Sequence, residues 1–328
     1  MTRRIRRIIL YSTILFFILA TPTMLLYAWG YSFDWQAKKP VLTGGLYLKS
    51  IPKKTDVYLN NKLKEETPVF IKRLLPKDYQ IKITKSGFHD WYKKLKVESR
   101  LVTEAKNILL IPLSPQIKII RENLTEDFSL EEFFNPEESD SVLYIQQPSY
   151  ILYRSNSNNL TQEQISSTPL PAQKYQVFAS DNQKIAALGN NQKLYLLNPE
   201  TKTFELISQN IQQVEFSRDN KKLLYATPSE IWVYYLEDIL EQPNKKAGDK
   251  ELITRLSQKI KQVLWYKTNE HIVFSVGQNI KIIELDGRDQ RNIFDVIQAN
   301  TEQMIFNPKD DKLYFVEQEK LSAISLEE

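Results

Sequence analysis

One unit of sequence recurs five times in the C-terminal two thirds of the chain. Each copy has an apolar segment that ends in an aromatic residue, followed by a polar turn and a second apolar segment. The five aromatic residues are Phe134, Phe178, Phe216, Trp265 and Phe306. They stand 44, 38, 49 and 41 residues apart, which fits the roughly 40 to 50 residues of a four-stranded propeller blade. The repeat therefore favours a repetitive, all-β fold for this part of the chain.

Further strands complete most of these units. Second strands are predicted at 142–145, 185–188, 223–226, 272–275 and 313–316. A third strand begins 15 or 16 residues after each aromatic residue, and fourth strands are predicted at 162–166, 204–208, 252–256 and 293–297. We therefore predict blades that start near residues 128, 174, 211, 260 and 301 of a five-bladed β-propeller at 114–328.

The last unit lacks a fourth strand of its own. An apolar segment at 116–121 precedes the first unit and matches none of that unit's strands. We predict that it closes the last blade, because closure removes an exposed sheet edge. An ordinary β-sandwich with strands of similar length is the alternative fold.

Two of the turns carry a resemblance to a known repeat. The stretches 216–223 and 178–185 both contain serine, aspartate, asparagine and lysine between an aromatic and an apolar residue. They resemble the TolB-like family of bacterial propeller repeats, as does the turn Leu285-Asp286-Gly287-Arg288. The resemblance implies a propeller over about 200 residues, and it is loose in each single copy.

The N-terminal segment predicts a membrane anchor. Residues 8–29 form an apolar run without a charge, long enough as a helix to cross a ~30 Å hydrocarbon core. Four arginines precede the run, so the positive-inside rule places the N-terminus in the cytoplasm and the rest outside. The predicted membrane-anchor residues are Arg3, Arg4, Arg6, Arg7, Trp29 and Trp35. A cleaved signal peptide is the alternative, although the run is long for one and no small-x-small cleavage site follows it.

Between this helix and the repeats, short apolar strands alternate with polar turns. Ser50-Ile51-Pro52, Thr67-Pro68, the turn at 75–79 and Ser86-Gly87-Phe88 resemble the PEGA domain family in order and spacing. Lys53-Lys54-Thr55 and Lys77-Asp78 depart from the family pattern, both in turns. The resemblance implies a compact β-sandwich of bacterial surface and envelope proteins, with no enzymatic activity established for the family as a whole. We predict a basic tail at 1–7, the helix at 8–29, a linker at 30–42 and this domain at 43–113.

Composition narrows the chemistry that the chain can perform. It has no cysteine and two histidines, His89 and His271, which argues against thiolate zinc sites and against a histidine-based triad. The net charge of +4 among 84 charged residues gives no support to a nucleic-acid partner. We predict no catalytic, metal or cofactor site and no cofactor.

These features together favour a non-catalytic binding or scaffolding protein of the bacterial cell membrane. Its predicted partners are the lipid bilayer, through the N-terminal helix, and an envelope protein or glycan. Two alternatives stay open: a glycan-directed enzyme with carboxylates at the propeller channel, and a purely structural tether.

Overall fold

A computed structural model describes residues 3–125, 127–134, 141–156 and 162–327. The chain divides into two compact units, Met1–Leu110 and Ile111–Glu328. The polar turn predicted at 135–138 lies outside the described residues.

The first unit begins with an apolar helix, α1 (Arg3–Ala28), and none of its residues is buried. By length and composition, it is the one helix among the described residues that could cross a membrane. Its 26 residues extend for about 39 Å. The helix begins at Arg3 instead of residue 8, so the arginines lie in its first turns; arginine is a good helix former and does not interrupt it.

The segment predicted as a linker is a two-stranded hairpin of β1 (Tyr31–Asp34) and β2 (Lys39–Leu42). Its base is closed by Thr43, whose backbone N and Oγ1 donate to the Gly30 carbonyl oxygen at 2.9 and 2.7 Å. The sequence does not predict these strands, because they are short and because β2 contains Pro40, which a two-stranded sheet tolerates at its edge.

The remainder of the first unit is a β-sandwich. Its strands are β3 (Gly44–Ile51), β4 (Asp56–Leu59), β5 (Lys62–Glu66), β6 (Val69–Leu74), β7 (Asp78–Thr84), β8 (Trp91–Lys96) and β9 (Val102–Leu109). One sheet has the order β6-β3-β9 and the other β5-β4-β7-β8. β3 and β9 are parallel, while the other pairs are antiparallel.

The sandwich forms because its strands alternate apolar and polar residues. β8 alternates buried and exposed positions along its whole length, which is the pattern of a strand with one face in the core. Leu46, Leu48, Val57, Ile83 and Trp91 are fully or almost fully buried in this core. Asn60 and Asn61, between β4 and β5, both have positive φ, as a tight hairpin turn requires.

The second unit contains one short helix and nineteen strands within its described residues. They are β10 (Lys118–Arg121), α2 (Leu130–Phe134), β11 (Ser141–Gln146), β12 (Ile151–Asn156), β13 (Gln162–Gln164), β14 (Tyr175–Ala179), β15 (Ile185–Gly189), β16 (Leu194–Leu197), β17 (Phe204–Ser208), β18 (Gln213–Phe216), β19 (Lys222–Ala226), β20 (Glu230–Tyr235), β21 (Lys250–Arg255), β22 (Ile260–Trp265), β23 (His271–Val276), β24 (Asn279–Glu284), β25 (Ile293–Gln298), β26 (Met304–Asn307), β27 (Lys312–Glu317) and β28 (Lys320–Ile324).

These strands form five antiparallel sheets in the described part of the unit. Their orders are β11-β12-β13, β14-β15-β16-β17, β18-β19-β20-β21, β22-β23-β24-β25 and β10-β28-β27-β26. First strands of successive sheets contact one another: β14 meets β18, β18 meets β22, and β22 meets β26. Sheets that meet in series through their first strands are the arrangement of a β-propeller, so the predicted fold class is confirmed.

The first repeat departs from the pattern. The strand predicted to end at Phe134 is instead the helix α2, which contacts β26. Ser129 precedes the helix and Glu131 and Glu132 lie in its first turn, and these are residue types that favour a helix start. That local preference outweighs the position of the segment in the repeat.

The segment at 116–121 contributes the outer strand of the last sheet. β10 pairs antiparallel with β28, with Lys118 opposite Ala323 and Ile119 opposite Ser322. The backbone N of Leu124 also donates to the Glu319 carbonyl oxygen at 2.9 Å. The sheet that holds the end of the described chain is thus completed by a strand from the start of the unit, which is the pairing that the sequence predicts.

Candidate functional site

One arginine contacts the C-terminal end of α1. Arg73 on β6 places its guanidinium 3.3 Å from the centre of the Tyr27 ring, and its Nη1 donates to the Tyr27 carbonyl oxygen at 3.2 Å. The last carbonyl groups of a helix lack partners within the helix, and a cation there also interacts favourably with the helix dipole. Arg73 therefore caps α1 and links it to the β-sandwich.

No sequence pattern predicts this contact. Lys72-Arg73-Leu74 has the composition of an ordinary strand end, and the positive φ of Arg73, 58°, carries no sequence signal in a residue of this type.

The predicted anchor residues lie at the two ends of α1. The four arginines are exposed in its first turns, Trp29 directly follows its last turn with 68% exposure, and Trp35 lies in the hairpin turn with 82% exposure. The structure does not bring the arginines and tryptophans together, because a helix about 39 Å long separates them. Such a separation exceeds the ~30 Å hydrocarbon core, and lipid contact by these residues stays a prediction.

In the propeller, buried and half-buried lysines connect neighbouring sheets. Lys184, just before β15, donates from Nζ to the Asn220 carbonyl oxygen at 2.7 Å. Lys222, at the start of β19, donates from Nζ to the Asn269 carbonyl oxygen at 3.0 Å and forms an ion pair with Glu270 at 2.7 Å. Asn220 and Asn269 both have positive φ in the turns that follow the first strands. Each lysine thus reaches from its own sheet to the turn of the next.

The same end of the propeller has a further pair of contacts between the last two sheets. Lys267, in the turn after β22, pairs with Asp311 and Glu327, each at 2.9 Å. The Tyr266 hydroxyl also lies 3.2 Å from Glu327 Oε1. The turns after the first strands are therefore joined to one another by charged groups.

Glutamine side chains connect the first strands themselves. Gln213 on β18 donates to the Lys261 carbonyl oxygen at 2.6 Å and accepts from the Val263 backbone N at 2.8 Å. Gln262 on β22 likewise donates to the Met304 carbonyl oxygen at 2.9 Å and accepts from the Met304 backbone N. First strands of different sheets share no backbone ladder, so these amides supply hydrogen bonds that the strands otherwise lack.

The third glutamine of this set bonds to the short helix. Gln303 donates to the Phe128 carbonyl oxygen and accepts from the Leu130 backbone N, both at 3.3 Å. Gln213, Gln262 and Gln303 each stand three residues before the aromatic residue of their repeat. That spacing is the signal by which the sequence could have revealed them.

An acid and an arginine lie beside this glutamine series. Glu215 on β18 accepts from the Trp265 backbone N at 3.0 Å. Burial raises the pKa of its carboxyl group to about 7, although the Trp265 hydrogen bond and the charge of Arg218 act to lower it. Arg218 donates from Nη2 to the Phe306 carbonyl oxygen at 2.9 Å, with its guanidinium 4.9 Å from the Phe306 ring centre.

Part of the Glu215 residue is accessible to solvent, while its carboxyl group is enclosed by protein atoms. The surroundings of the carboxyl group decide its pKa, and these surroundings are protein atoms.

Chemically, this arrangement suits packing and recognition. Hydrolysis of a glycan requires two carboxylates placed to act on one bond, whereas Glu215 is engaged by a backbone N–H and Glu270 by Lys222. Among the described residues, no group of three or more histidines and acids could hold a metal ion. His271 is buried, with Nδ1 2.9 Å from the Thr268 hydroxyl, and His89 lies in the other unit.

Comparison with solved structures finds similarity at low identity. The extracellular domain of the hybrid two component system BT4673 from Bacteroides thetaiotaomicron is 10% identical over 90% of this chain and 31% of its own, with a TM-score of 0.38. YCF48 from Cyanidioschyzon merolae is 9% identical over 86% of this chain and 98% of its own, with a TM-score of 0.41. XC5397 from Xanthomonas campestris, a gluconolactonase, is 10% identical over 57% of this chain and 68% of its own, with a TM-score of 0.38.

This chain thus spans about a third of the BT4673 extracellular domain. No curated protein matches the chain by sequence. The assignment of a propeller rests on the strand order and on the contacts between sheets described above.

The fold defines the class of protein: an all-β protein with a β-propeller and one apolar helix near the N-terminus, as membrane-anchored and secreted proteins have. Within the first unit, residues 43–109 match the PEGA domain family. The chain therefore contains a PEGA domain, as its sequence predicts.

Proposed function

We propose that this chain is a single-pass protein of a bacterial cell membrane, with its N-terminus in the cytoplasm and its two β units outside. In this proposal the propeller binds or scaffolds an envelope protein or glycan, and the PEGA domain spaces it from the membrane. The proposed propeller spans 114–328, and each of its five sheets is one blade.

The observation that carries the proposal is the state of α1. All its apolar side chains are unburied, and a 26-residue apolar helix exposed to water is strongly unfavourable. A bilayer removes this surface from water. The basic residues at one end and the tryptophans at the other match the charge and aromatic patterns of a spanning helix.

The topology can be tested directly because the chain has no native cysteine. We would introduce Thr2→Cys or Lys53→Cys, both of which leave the four arginines intact, and label intact cells with a membrane-impermeant maleimide. The Lys53→Cys chain is expected to react in intact cells, and the Thr2→Cys chain only after permeabilisation. The reverse pattern would contradict the proposed orientation.

The binding role rests on the series of side-chain contacts between successive sheets. Lysines and glutamines fix the turns and first strands to one another, and a pre-organised surface binds with a smaller entropic cost than a loose one. The test is retention of envelope glycan and envelope protein fractions by the full chain in nanodiscs, with empty nanodiscs as the control. If neither fraction is retained specifically, the structural tether replaces the binding role.

One observation favours keeping the enzyme as a second candidate: a carboxyl group with a pKa of about 7, at Glu215, is a possible general acid. If the chain is such an enzyme, incubation with envelope glycan releases reducing ends, and Glu215→Gln abolishes the release. Because the Glu215 carboxyl group already accepts a hydrogen bond from the Trp265 backbone N–H, we expect no release from the native chain or from the variant.

A further inference from the structure

The hairpin of β1 and β2 has one apolar face. Strand pairing sets Tyr31 opposite Leu42 and Phe33 opposite Pro40, and these residues share a face because side chains alternate along a strand. The Phe33 and Trp35 rings meet edge to face at 4.9 Å between centres. Phe33 is 43% exposed and Trp35 is 82% exposed. The aromatic face, defined here as Tyr31, Phe33 and Trp35, is therefore open over much of its area.

No further strand among the described residues pairs with this hairpin. A two-stranded hairpin is marginally stable in water by itself and needs another surface against its apolar face. Aromatic side chains also contribute the largest apolar areas of any residue type. A partner for the aromatic face must therefore provide an apolar environment for the rings and polar groups beside it.

The position of the hairpin indicates which partner that is. The chain leaves α1 at Ala28, turns at Gly30 with a φ of 86°, and returns to the same point at Thr43, which bonds to Gly30. Arg73 holds Tyr27 at that end of the helix. The hairpin therefore begins and ends where the helix leaves the membrane, and its four-residue strands reach only about 13 Å from there.

We infer that the hairpin is a second membrane contact, with its aromatic face in the headgroup region of the outer leaflet. The amphipathic rings of Tyr31 and Trp35 favour this region, Phe33 adds apolar area beside them, and the exposed Lys38 and Lys39 at the hairpin turn meet lipid phosphates there. The inference rests on the proposed function, because it requires α1 to span the bilayer.

The test uses the full chain in phosphatidylcholine nanodiscs, with one fluorophore on an introduced cysteine. Ala37→Cys reports on the hairpin turn and keeps Trp35 in place. Leu15→Cys reports on insertion of α1. Lys53→Cys is the matched exposed control, since it follows the far end of β3, whose eight residues extend about 27 Å from the helix exit.

Brominated lipids are expected to quench the labels on Leu15→Cys and Ala37→Cys and to leave the label on Lys53→Cys unchanged. Adding phosphatidylglycerol should increase quenching at Ala37→Cys, because an anionic surface attracts the two lysines. Replacing Phe33 and Trp35 with serine in the Ala37→Cys chain should reduce its quenching at least about twofold, since rings supply the interfacial affinity.

The outcomes separate the two proposals. If Leu15→Cys is quenched while Ala37→Cys behaves like Lys53→Cys, the hairpin contact is wrong and the membrane anchor stands. If Leu15→Cys is not quenched, the anchor itself is wrong. If Ala37→Cys is shielded only in nanodiscs that hold two chains, a second copy covers the aromatic face and the lipid contact is wrong.

Discussion

The carboxyl group of Glu215 accepts a hydrogen bond from Trp265 while burial raises its pKa from 4.5 to about 7. A raised folded-state pKa means that the folded protein holds this proton more tightly than the unfolded chain does. The contribution of Glu215 to stability is therefore fully present below about pH 4.5 and is lost as the pH rises through about 7.

We predict that Glu215→Gln removes this part of the pH dependence. Glutamine keeps an acceptor for the Trp265 N–H but does not ionise. Between pH 5 and pH 8, the free energy of unfolding of the variant should therefore rise relative to that of the native chain by on the order of 1–3 kcal/mol. Thermal or denaturant unfolding of both chains at the two pH values measures the difference. Parallel curves for the two chains would contradict the assigned pKa.

Lys222 gives a second test at the level of one side chain. It is 1% exposed and pairs with Glu270 at 2.7 Å and Asp219 at 3.5 Å. Lys222→Met removes the cation and leaves the half-buried carboxylates without it, a change that costs about 3–5 kcal/mol for a buried pair. Lys221→Met, at the exposed neighbouring position, should leave the free energy of unfolding nearly unchanged. If urea unfolding shows equal changes for Lys222→Met and Lys221→Met, the contact of Lys222 between sheets adds little to stability.

At the level of elements, β10 is the only strand of the last sheet that comes from before the repeats in the described chain. Deleting residues 114–121 should lower the melting temperature of the second unit, because it exposes the edge of β28 and removes its ladder. A unit of this size loses roughly 2–4 °C per kcal/mol.

A milder change at β10 distinguishes the contribution of its side chains to stability from that of its backbone pairing. Ile119 is half exposed, so Ile119→Thr preserves the pairing with Ser322 and should have little effect. An unchanged melting temperature for the deletion would contradict the closing role of this strand.

An element can be predicted from the sequence when the residues that cause it to form lie close together along the chain. The strands of the repeats and the Asn60-Asn61 turn depend on local alternation and on backbone preference, so they are predictable. The β1–β2 hairpin has no clear sequence signal, because its strands are short and directly follow the apolar segment that forms α1. The strand predicted at Phe134 was wrong because helix-start residues outweighed the repeat.

The candidate site was harder to predict than the fold. Trp29, Trp35 and the arginines stay predicted membrane-anchor residues, because the prediction rests on the compositional signals that membrane segments have. Arg73, Lys184 and Lys222 could not, because each acts on a carbonyl group 36 to 47 residues away, and no local pattern encodes such a pairing.

For the whole molecule, the two units have separate cores. The first unit buries Leu46 among its own strands, and the second buries Leu224 among its own. We therefore expect two unfolding transitions in calorimetry of the full chain. Leu46→Ala should lower the free energy of unfolding of the first unit and Leu224→Ala that of the second, each by about 2–5 kcal/mol. A single transition that both variants shift equally would show that the units unfold as one.

The pairing of β10 with β28 also sets an order of events during folding. Four of the five described sheets can form from strands that are near neighbours in sequence, whereas Lys118 and Ala323 are about 200 residues apart, a separation that slows contact formation. The last sheet is therefore expected to be completed after the others. Until then the chain carries an open edge on β28, and a strand of another chain has its longest opportunity to pair with that edge at this stage.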